Sequence, residues 1–172
     1  MTARITQAYR ETLIRSHARS QDWGRGGLLW RSEVSGFLRD FGAKSVLDYG
    51  CGKGGLVRTL ADSGFVASGY DPGIPEFSGD PAPSDFLICL DVLEHVEPGC
   101  LEAVLSHVAS LAPVAFFVIA TRAAKHVLPD GRNAHLIINP CGWWEDRLKK
   151  SYGDIRIVAP KRRSEIAFLC RI

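Results

Sequence analysis

Residues 46–55 read VLDYGCGKGG, and this stretch decides the fold. A short apolar run ends in Gly50, Gly52 and Gly55, which fall in the GxGxxG register of a strand that turns tightly into a helix. Glycines at such a turn permit positive φ and let a ligand approach the backbone closely. The pattern predicts a buried strand followed by a turn that is either a ligand cradle or a purely structural bend.

Outward from this turn, strand-like apolar runs and helix-like amphipathic segments alternate along the 172 residues. This alternation predicts a single α/β domain over residues 1–172, with a Rossmann-like, mostly parallel sheet and helices on both faces. Two helices within residues 1–42 precede the sheet, and the glycine-rich segment 17–27 that joins them is a candidate lid. Strands are predicted at 45–49, 65–70, 86–90, 114–120, 155–158 and 166–170, and helices at 2–17, 30–41, 54–61, 101–111 and 143–152.

Composition narrows the class of protein. The chain is 46% hydrophobic and 23% charged, as soluble globular domains are. No apolar run reaches the roughly 18 residues that a bilayer requires, and the polar N-terminus is unlike a secretion signal. We therefore expect a cytoplasmic monomer or homodimer without a membrane partner.

Charge and cysteine usage exclude further classes. The net charge of +2 does not favour a nucleic-acid partner, although residues 149–150 and 161–163 concentrate positive charge. The five cysteines are odd in number and form no CxxC pair, which argues against a disulfide framework and against a zinc site. We therefore expect free thiols and no metal.

Asp48 discriminates between the cofactors that a glycine-rich turn could bind. It lies two residues before Gly50, at the end of the predicted strand. A carboxylate there would repel the pyrophosphate of NAD, whereas it could hold the ammonium of S-adenosylmethionine, directly or through water. The chain also lacks the substrate domain that usually follows an NAD site. The sequence therefore favours S-adenosylmethionine over NAD.

Three segments in order resemble the signature motifs of the class I S-adenosylmethionine-dependent methyltransferases. Residues 46–56 (VLDYGCGKGGL) resemble the turn that wraps the methionine end of the cofactor. Residues 68–72 (SGYDP) resemble the second motif, whose acid, here Asp71, hydrogen-bonds the ribose hydroxyls; two vicinal hydroxyls suit a carboxylate with two accepting oxygens. Residues 90–96 (LDVLEHV) resemble the signature of the ubiquinone-biosynthesis-like branch.

The resemblance implies a site at the carboxyl edge of the sheet and places His95 against the transferred methyl group. A packing or helix-capping histidine is the alternative reading of His95. The same edge should carry the cofactor, S-adenosylmethionine, with S-adenosylhomocysteine as product. The cofactor-binding residues that it implies are Asp48, Tyr49, Gly50, Cys51, Gly52, Asp71, Pro72, Leu90 and Asp91.

The chain departs from the family between Asp71 and Asp85. Only thirteen residues separate the two, and six of them are proline or glycine. A helix and a strand do not fit in that space. We therefore expect six strands, with the usual third strand missing or vestigial, and Asp80 is a weak candidate for the adenine contact, with Ser84 or backbone groups as the alternatives.

A polar loop after the predicted strand at 114–120 is the candidate site for the methyl acceptor. Residues 130–144 (DGRNAHLIINPCGWW) resemble a segment of small bacterial and phage-associated methyltransferases. His135 there is a candidate base or acceptor-positioning group, and Arg132 and Asn133 are candidate acceptor ligands; loop groups that satisfy their own backbone are the alternative. The adjacent tryptophans at 143–144 either anchor a helix or stack on a planar substrate.

Methyl transfer from a sulfonium is an in-line displacement that needs alignment and exclusion of water more than a catalytic dyad. The short chain, its near-neutral charge and the polar loop favour a small polar acceptor, such as a sugar, a nucleotide or a natural-product intermediate, methylated on O or N. Methylation of RNA or protein in an open cleft, and non-catalytic binding of S-adenosylmethionine, remain the alternatives.

Overall fold

Six strands form one mixed sheet in the computed structural model of the chain, which describes residues 3–19 and 25–172. Four parallel strands lie in the order β2-β1-β3-β4, and β6 pairs antiparallel with both β4 and β5 to complete the order β2-β1-β3-β4-β6-β5. The strands are β1 Ser45–Tyr49, β2 Val66–Tyr70, β3 Phe86–Leu90, β4 Val114–Ala120, β5 Asp154–Val158 and β6 Glu165–Arg171. All six predicted strands are therefore present, each within one residue of its expected bounds.

Five α-helices accompany the sheet in the described part of the chain. They are α1 Gln7–Arg19, α2 Arg31–Asp40, α3 Gly55–Asp62, α4 Leu101–Leu111 and α5 Cys141–Leu148. No helix among the described residues is both long enough and apolar enough to cross a bilayer. Residues 20–24 of the candidate lid at 17–27 lie outside the described residues.

Two apolar cores cover the two faces of the sheet, as the sequence predicted. On one face, α2 and α3 pack on β1, β3, β4 and β6 through residues such as Val34, Leu38 and Leu56. On the other face, α4 and α5 pack on the same strands through residues such as Val104 and Trp144. Because β3 and β4 are covered on both faces, every side chain in them is buried, which explains their uninterrupted apolar runs.

The sheet ends at β2, and this confirms the expected loss of the third strand. The segment between β2 and β3 contains no strand and only a short 3₁₀ turn at Pro75–Phe77. Its prolines cannot donate to a ladder of backbone hydrogen bonds. The sheet is mixed rather than wholly parallel because the last two strands run antiparallel to the others.

Helix α1 packs on a loop instead of on the sheet. Its Tyr9 forms a small core with Leu128 and Ala134 from the segment between β4 and α5. The Tyr9 hydroxyl also donates a hydrogen bond of 2.8 Å to the backbone carbonyl of His95. Helix α1 is thereby fixed across the carboxyl end of the parallel strands.

The contribution of α5 to the core can be tested by substitution of Trp144. Its side chain is fully buried, whereas neighbouring Trp143 is partly exposed and stacks under Arg147. Trp144→Ala should lower the free energy of unfolding by about 3–5 kcal/mol, because it leaves a large cavity, and Trp143→Ala should cost clearly less. Urea denaturation of both variants measures the difference; equal losses would contradict an anchoring role specific to Trp144.

Candidate active site

A cavity of about 460 Å³ lies at the carboxyl ends of β1, β2 and β3, beneath α1. Its volume falls within the range of small-molecule sites in proteins. The floor comes from the turns that follow the strands, and the roof comes from α1 and the residues that precede it. The roof residues are Arg4, Ile5, Tyr9, Leu13 and His17.

The glycine-rich turn after β1 forms one end of the cavity. Gly50 and Gly52 have φ values of +87° and +53°, a backbone conformation that favours glycine. A side chain at Gly50 would also collide with Val92. The Gly50 N–H donates to the Tyr70 carbonyl at 2.6 Å, so the turn is held against the end of β2. The result is a bare backbone surface that a ligand can approach closely.

Asp71 joins the glycine turn to the turn after β2. Its Oδ2 accepts a hydrogen bond from the Gly52 N–H at 3.0 Å, and its Oδ1 accepts one from the Gly73 N–H at 2.8 Å. The side chain is buried and lines the cavity. Each carboxylate oxygen can accept more than one hydrogen bond. Asp71 therefore has capacity for a pair of ligand hydroxyls.

Asp48 and Cys51 lie behind the turn rather than in the cavity. Neither is among the described residues that line the cavity, whereas Tyr49, between them, is. Asp48 projects to the face of β1 that α3 covers, and Cys51 Sγ packs against Gly69. Burial, with a contribution from Asp71, raises the pKa of Asp48 to about 7. Binding of the cofactor by these two residues stays a prediction.

Asp91 lies directly after β3 in a left-handed conformation, with φ of +55°. Its N–H donates to the Val118 carbonyl at 2.8 Å, and its Oδ2 lies 3.8 Å from Arg162 Nη1. Burial and nearby Glu165 raise the pKa of Asp91 to about 6, against the opposing effect of Arg162. A non-glycine residue held at positive φ is a recurrent feature of functional sites.

The segment after Asp91 forms a 3₁₀ turn at Leu93–His95. The side chains of Asp91 and His95 both line the cavity, because this turn bends back beneath α1.

His95 and His135 meet in the cavity, with ring centroids 4.8 Å apart. His95 Nδ1 lies 2.8 Å from the Ala134 carbonyl, and His135 Nδ1 lies 2.6 Å from the Arg122 carbonyl. Carbonyls only accept hydrogen bonds, so each Nδ1 carries the proton and each Nε2 carries a lone pair in the neutral ring. Burial, with a contribution from His135, lowers the pKa of His95 to about 4, and burial lowers that of His135 as well.

Glu94 is a buried acid next to this histidine pair. Its Oε1 accepts a hydrogen bond from the Ala120 N–H at 2.9 Å, and its backbone carbonyl accepts from Leu136 and Ile137. Burial raises the pKa of Glu94 to about 8, with a contribution from Asp91. Glu94 lies within the motif at residues 90–96, so its position could have identified it as a candidate site residue. The resemblance implied roles for Asp91 and His95 instead.

The sequence profile of the methyltransferase domain family matches residues 19–157. The chain belongs to this family. Its fold is that of the class I S-adenosylmethionine-dependent methyltransferases. No curated protein sequence matches it.

Solved structures agree with the family assignment at the level of the fold. The complex of DhpI with SAH has a TM-score of 0.66 and 18% identity, over 96% of this chain and 98% of that chain. Magnesium protoporphyrin IX methyltransferase (ChlM) from Synechocystis PCC 6803, with bound SAH, has a TM-score of 0.62 and 19% identity, over 96% and 95%. The N-terminal domain of EvdMO1 with SAH bound has a TM-score of 0.62 and 14% identity, over 99% of both chains.

Arg132 and Asn133, the predicted acceptor ligands, make contacts within their own loop. Neither is among the described residues that line the cavity. Arg132 pairs with Asp130 at 2.6 Å. The Asn133 side chain exchanges hydrogen bonds with the backbone of Ala124 and accepts one from the His135 N–H. These contacts shape the loop, and binding of an acceptor by either side chain stays a prediction.

The packing of α1 decides the surroundings of His17 and Asp80. His17, near the end of α1, is buried and lines the cavity, and burial lowers its pKa. Asp80, the weak candidate for the adenine contact, has a side chain that is 80% exposed and pairs with Arg4. Neither outcome could be read from the sequence, because both depend on where α1 packs.

Asp48 should make the stability of the methyltransferase depend on pH. Its raised pKa favours the folded state while the carboxyl is protonated, and this advantage is lost as the pH rises from about 4 through about 7. Asp48→Asn, which cannot ionise, should therefore gain about 2–3 kcal/mol in unfolding free energy relative to the wild type between about pH 5 and pH 8.

Urea denaturation at several pH values measures this gain. The exposed Asp62 of α3 provides the comparison variant, Asp62→Asn, which removes a carboxyl from the surface and leaves the buried carboxyl of Asp48 in place. A constant difference between Asp48→Asn and the wild type across this range would show that Asp48 does not bind its proton more tightly on folding.

Proposed function

We propose that the chain transfers the methyl group of S-adenosylmethionine to an oxygen or nitrogen of a small polar acceptor. One observation carries the proposal: the glycine turn, Asp71 and the histidine pair all line a single cavity that α1 covers. The glycine turn and Asp71 suit the cofactor, and the histidines suit the acceptor.

The cofactor half of the cavity fits a nucleoside with a charged amino-acid tail. The bare backbone of Gly50 and Gly52 allows close approach, and Asp71 can accept hydrogen bonds from ribose hydroxyls. Tyr49, Pro72, Leu90 and Asp91 complete the predicted set that lines the cavity. When bound, the cofactor supplies an electrophilic methyl group on a sulfonium. Asp48 and Cys51 act on the turn from behind.

The acceptor half of the cavity presents the two neutral histidines. An Nε2 lone pair accepts a hydrogen bond from an acceptor O–H or N–H and so orients the nucleophile. The pKa of His95 near 4 means that this ring stays neutral at physiological pH. Helix α1 covers the reacting region and excludes water from it. These residues bind, orient and shield, which is what a methyl displacement requires.

The roof over the cavity favours a small acceptor over RNA or protein. Tyr9 and Leu13 of α1 line the cavity from above, which favours an acceptor small enough to pass beneath this helix. Several late basic residues are already paired: Lys149 with Glu145, Lys150 with Glu102, and Lys161 with Glu33. Among the structural neighbours, the Synechocystis enzyme is named for a small-molecule substrate.

Calorimetric titration with S-adenosylmethionine and S-adenosylhomocysteine tests the cofactor proposal. The wild type should bind both with one site per chain. Asp71→Ala should weaken binding by about 1–3 kcal/mol, the scale for losing hydrogen bonds to a charged acceptor. Asp62→Ala, on the exposed surface of α3 and outside the cavity, is the matched control and should bind as the wild type does. No wild-type binding at millimolar ligand would refute the proposal, and unchanged affinity in Asp71→Ala would remove Asp71 from it.

Isotope-labelled S-adenosylmethionine identifies the class of acceptor. The chain is incubated with pooled sugars, nucleotides and phenolic natural products, and in parallel with total RNA and with protein extract. Label should enter the small-molecule fraction, because α1 covers part of the site. Label that enters only RNA, with a steep loss of activity on adding salt, would instead establish a nucleic-acid acceptor.

A further inference from the structure

The geometry points to a divalent-cation site formed by Glu94, His95 and His135 at the floor of the cavity. Each residue offers one ligand atom, and these three atoms lie within 4.8 Å of one another. Ligands that share an ion at about 2.0–2.2 Å lie roughly 3–3.5 Å apart. The three ligand atoms therefore need to approach one another by at most about 2 Å to coordinate a common ion.

The hydrogen bonds of the two histidines already suit metal binding. Metal-binding histidines usually donate the N–H of the other ring nitrogen to a carboxylate or a backbone carbonyl, which fixes the tautomer. Here both Nδ1–H groups donate to the carbonyls of Ala134 and Arg122. Each Nε2 therefore carries the lone pair that a cation requires.

The carboxylate of Glu94 supplies an independent observation. Its side chain is completely buried, and Oε1 is held by the Ala120 N–H. Among the residues that the structure describes, none donates a hydrogen bond to Oε2. A buried polar oxygen without a partner is uncommon in folded proteins. A cation between Oε2 and the two imidazoles would satisfy it.

The donor set indicates the class of ion. Two imidazoles and one carboxylate suit first-row divalent metals, and three protein ligands leave coordination positions open. Because both histidines line the cavity, the open positions face the acceptor half. There the ion would polarise an acceptor hydroxyl in place of the histidine hydrogen bond, a role that rests on the proposed function. The binding itself does not rest on it.

The prediction that the chain binds no metal rested on the number and spacing of its cysteines. The three ligands come from two segments about 40 residues apart, which the fold brings together through the hydrogen bonds from Leu136 and Ile137 to the Glu94 carbonyl. A metal-binding motif defined by short spacing in the sequence does not include ligands that lie this far apart.

Titration of chelator-treated protein with Zn²⁺ and with Mn²⁺ tests the site. Calorimetry should give one ion per chain for the wild type. His135→Asn and Glu94→Gln should each weaken binding at least tenfold, because each removes a ligand. His126→Asn provides the matched control, since His126 lines the same cavity but lies outside the cluster. It should bind the ion as the wild type does.

Thermal unfolding shows whether a variant that binds the ion weakly is nevertheless folded. Saturating ion should raise the melting temperature of the wild type and of His126→Asn, and should raise that of the well-folded His135→Asn much less. Absence of binding for both ions, or equal affinity in His135→Asn and the wild type, would overturn the site. S-adenosylhomocysteine titrated in the presence of chelator tests the proposed function separately, because that binding does not need the ion.

Discussion

The rest of the site depends on the two backbone hydrogen bonds that Asp71 accepts. Strands β1 and β2 are parallel and in register, with Tyr49 opposite Tyr70, so their following turns begin at the same level. The carboxylate of Asp71 joins these turns by binding Gly52 and Gly73. Hydrogen bonds to a charged acceptor each contribute about 1.5–3 kcal/mol, enough to hold a glycine-rich turn that would otherwise sample many conformations.

The sheet could be predicted from the sequence because its physical causes are local. Strands that are covered on both faces show as continuous apolar runs, and the crowded prolines and glycines after Asp71 leave no room for a third strand. Seven of the nine expected cofactor residues line the cavity. The two-residue period of a strand places Asp48 on the same face of β1 as Val46, which is the face that α3 covers. Its position outside the cavity lining could therefore have been predicted.

The contacts over the cavity could not be predicted in the same way. The amphipathic pattern of α1 shows that one face is buried but not what buries it, and its partner is a loop that has no regular pattern of its own. The same limit applies to His17 and to the pairing of His95 with His135. Each of these contacts joins segments that are far apart in the sequence, and nothing in either segment indicates its partner.

The antiparallel end of the sheet has a consequence for how the site is completed. Strand β5 joins the sheet only through β6, which lies between it and β4, so the two strands and the residues between them dock as one hairpin. That hairpin supplies Arg162, Ser164 and Glu165 to the cavity wall. Strand β6 also contributes Phe168 to one apolar core and Leu169 to the other, so this wall is held as firmly as the sheet itself. Arg162 Nη1 lies 3.8 Å from Asp91 Oδ2, and residues late in the chain therefore complete a cavity that the first strands begin.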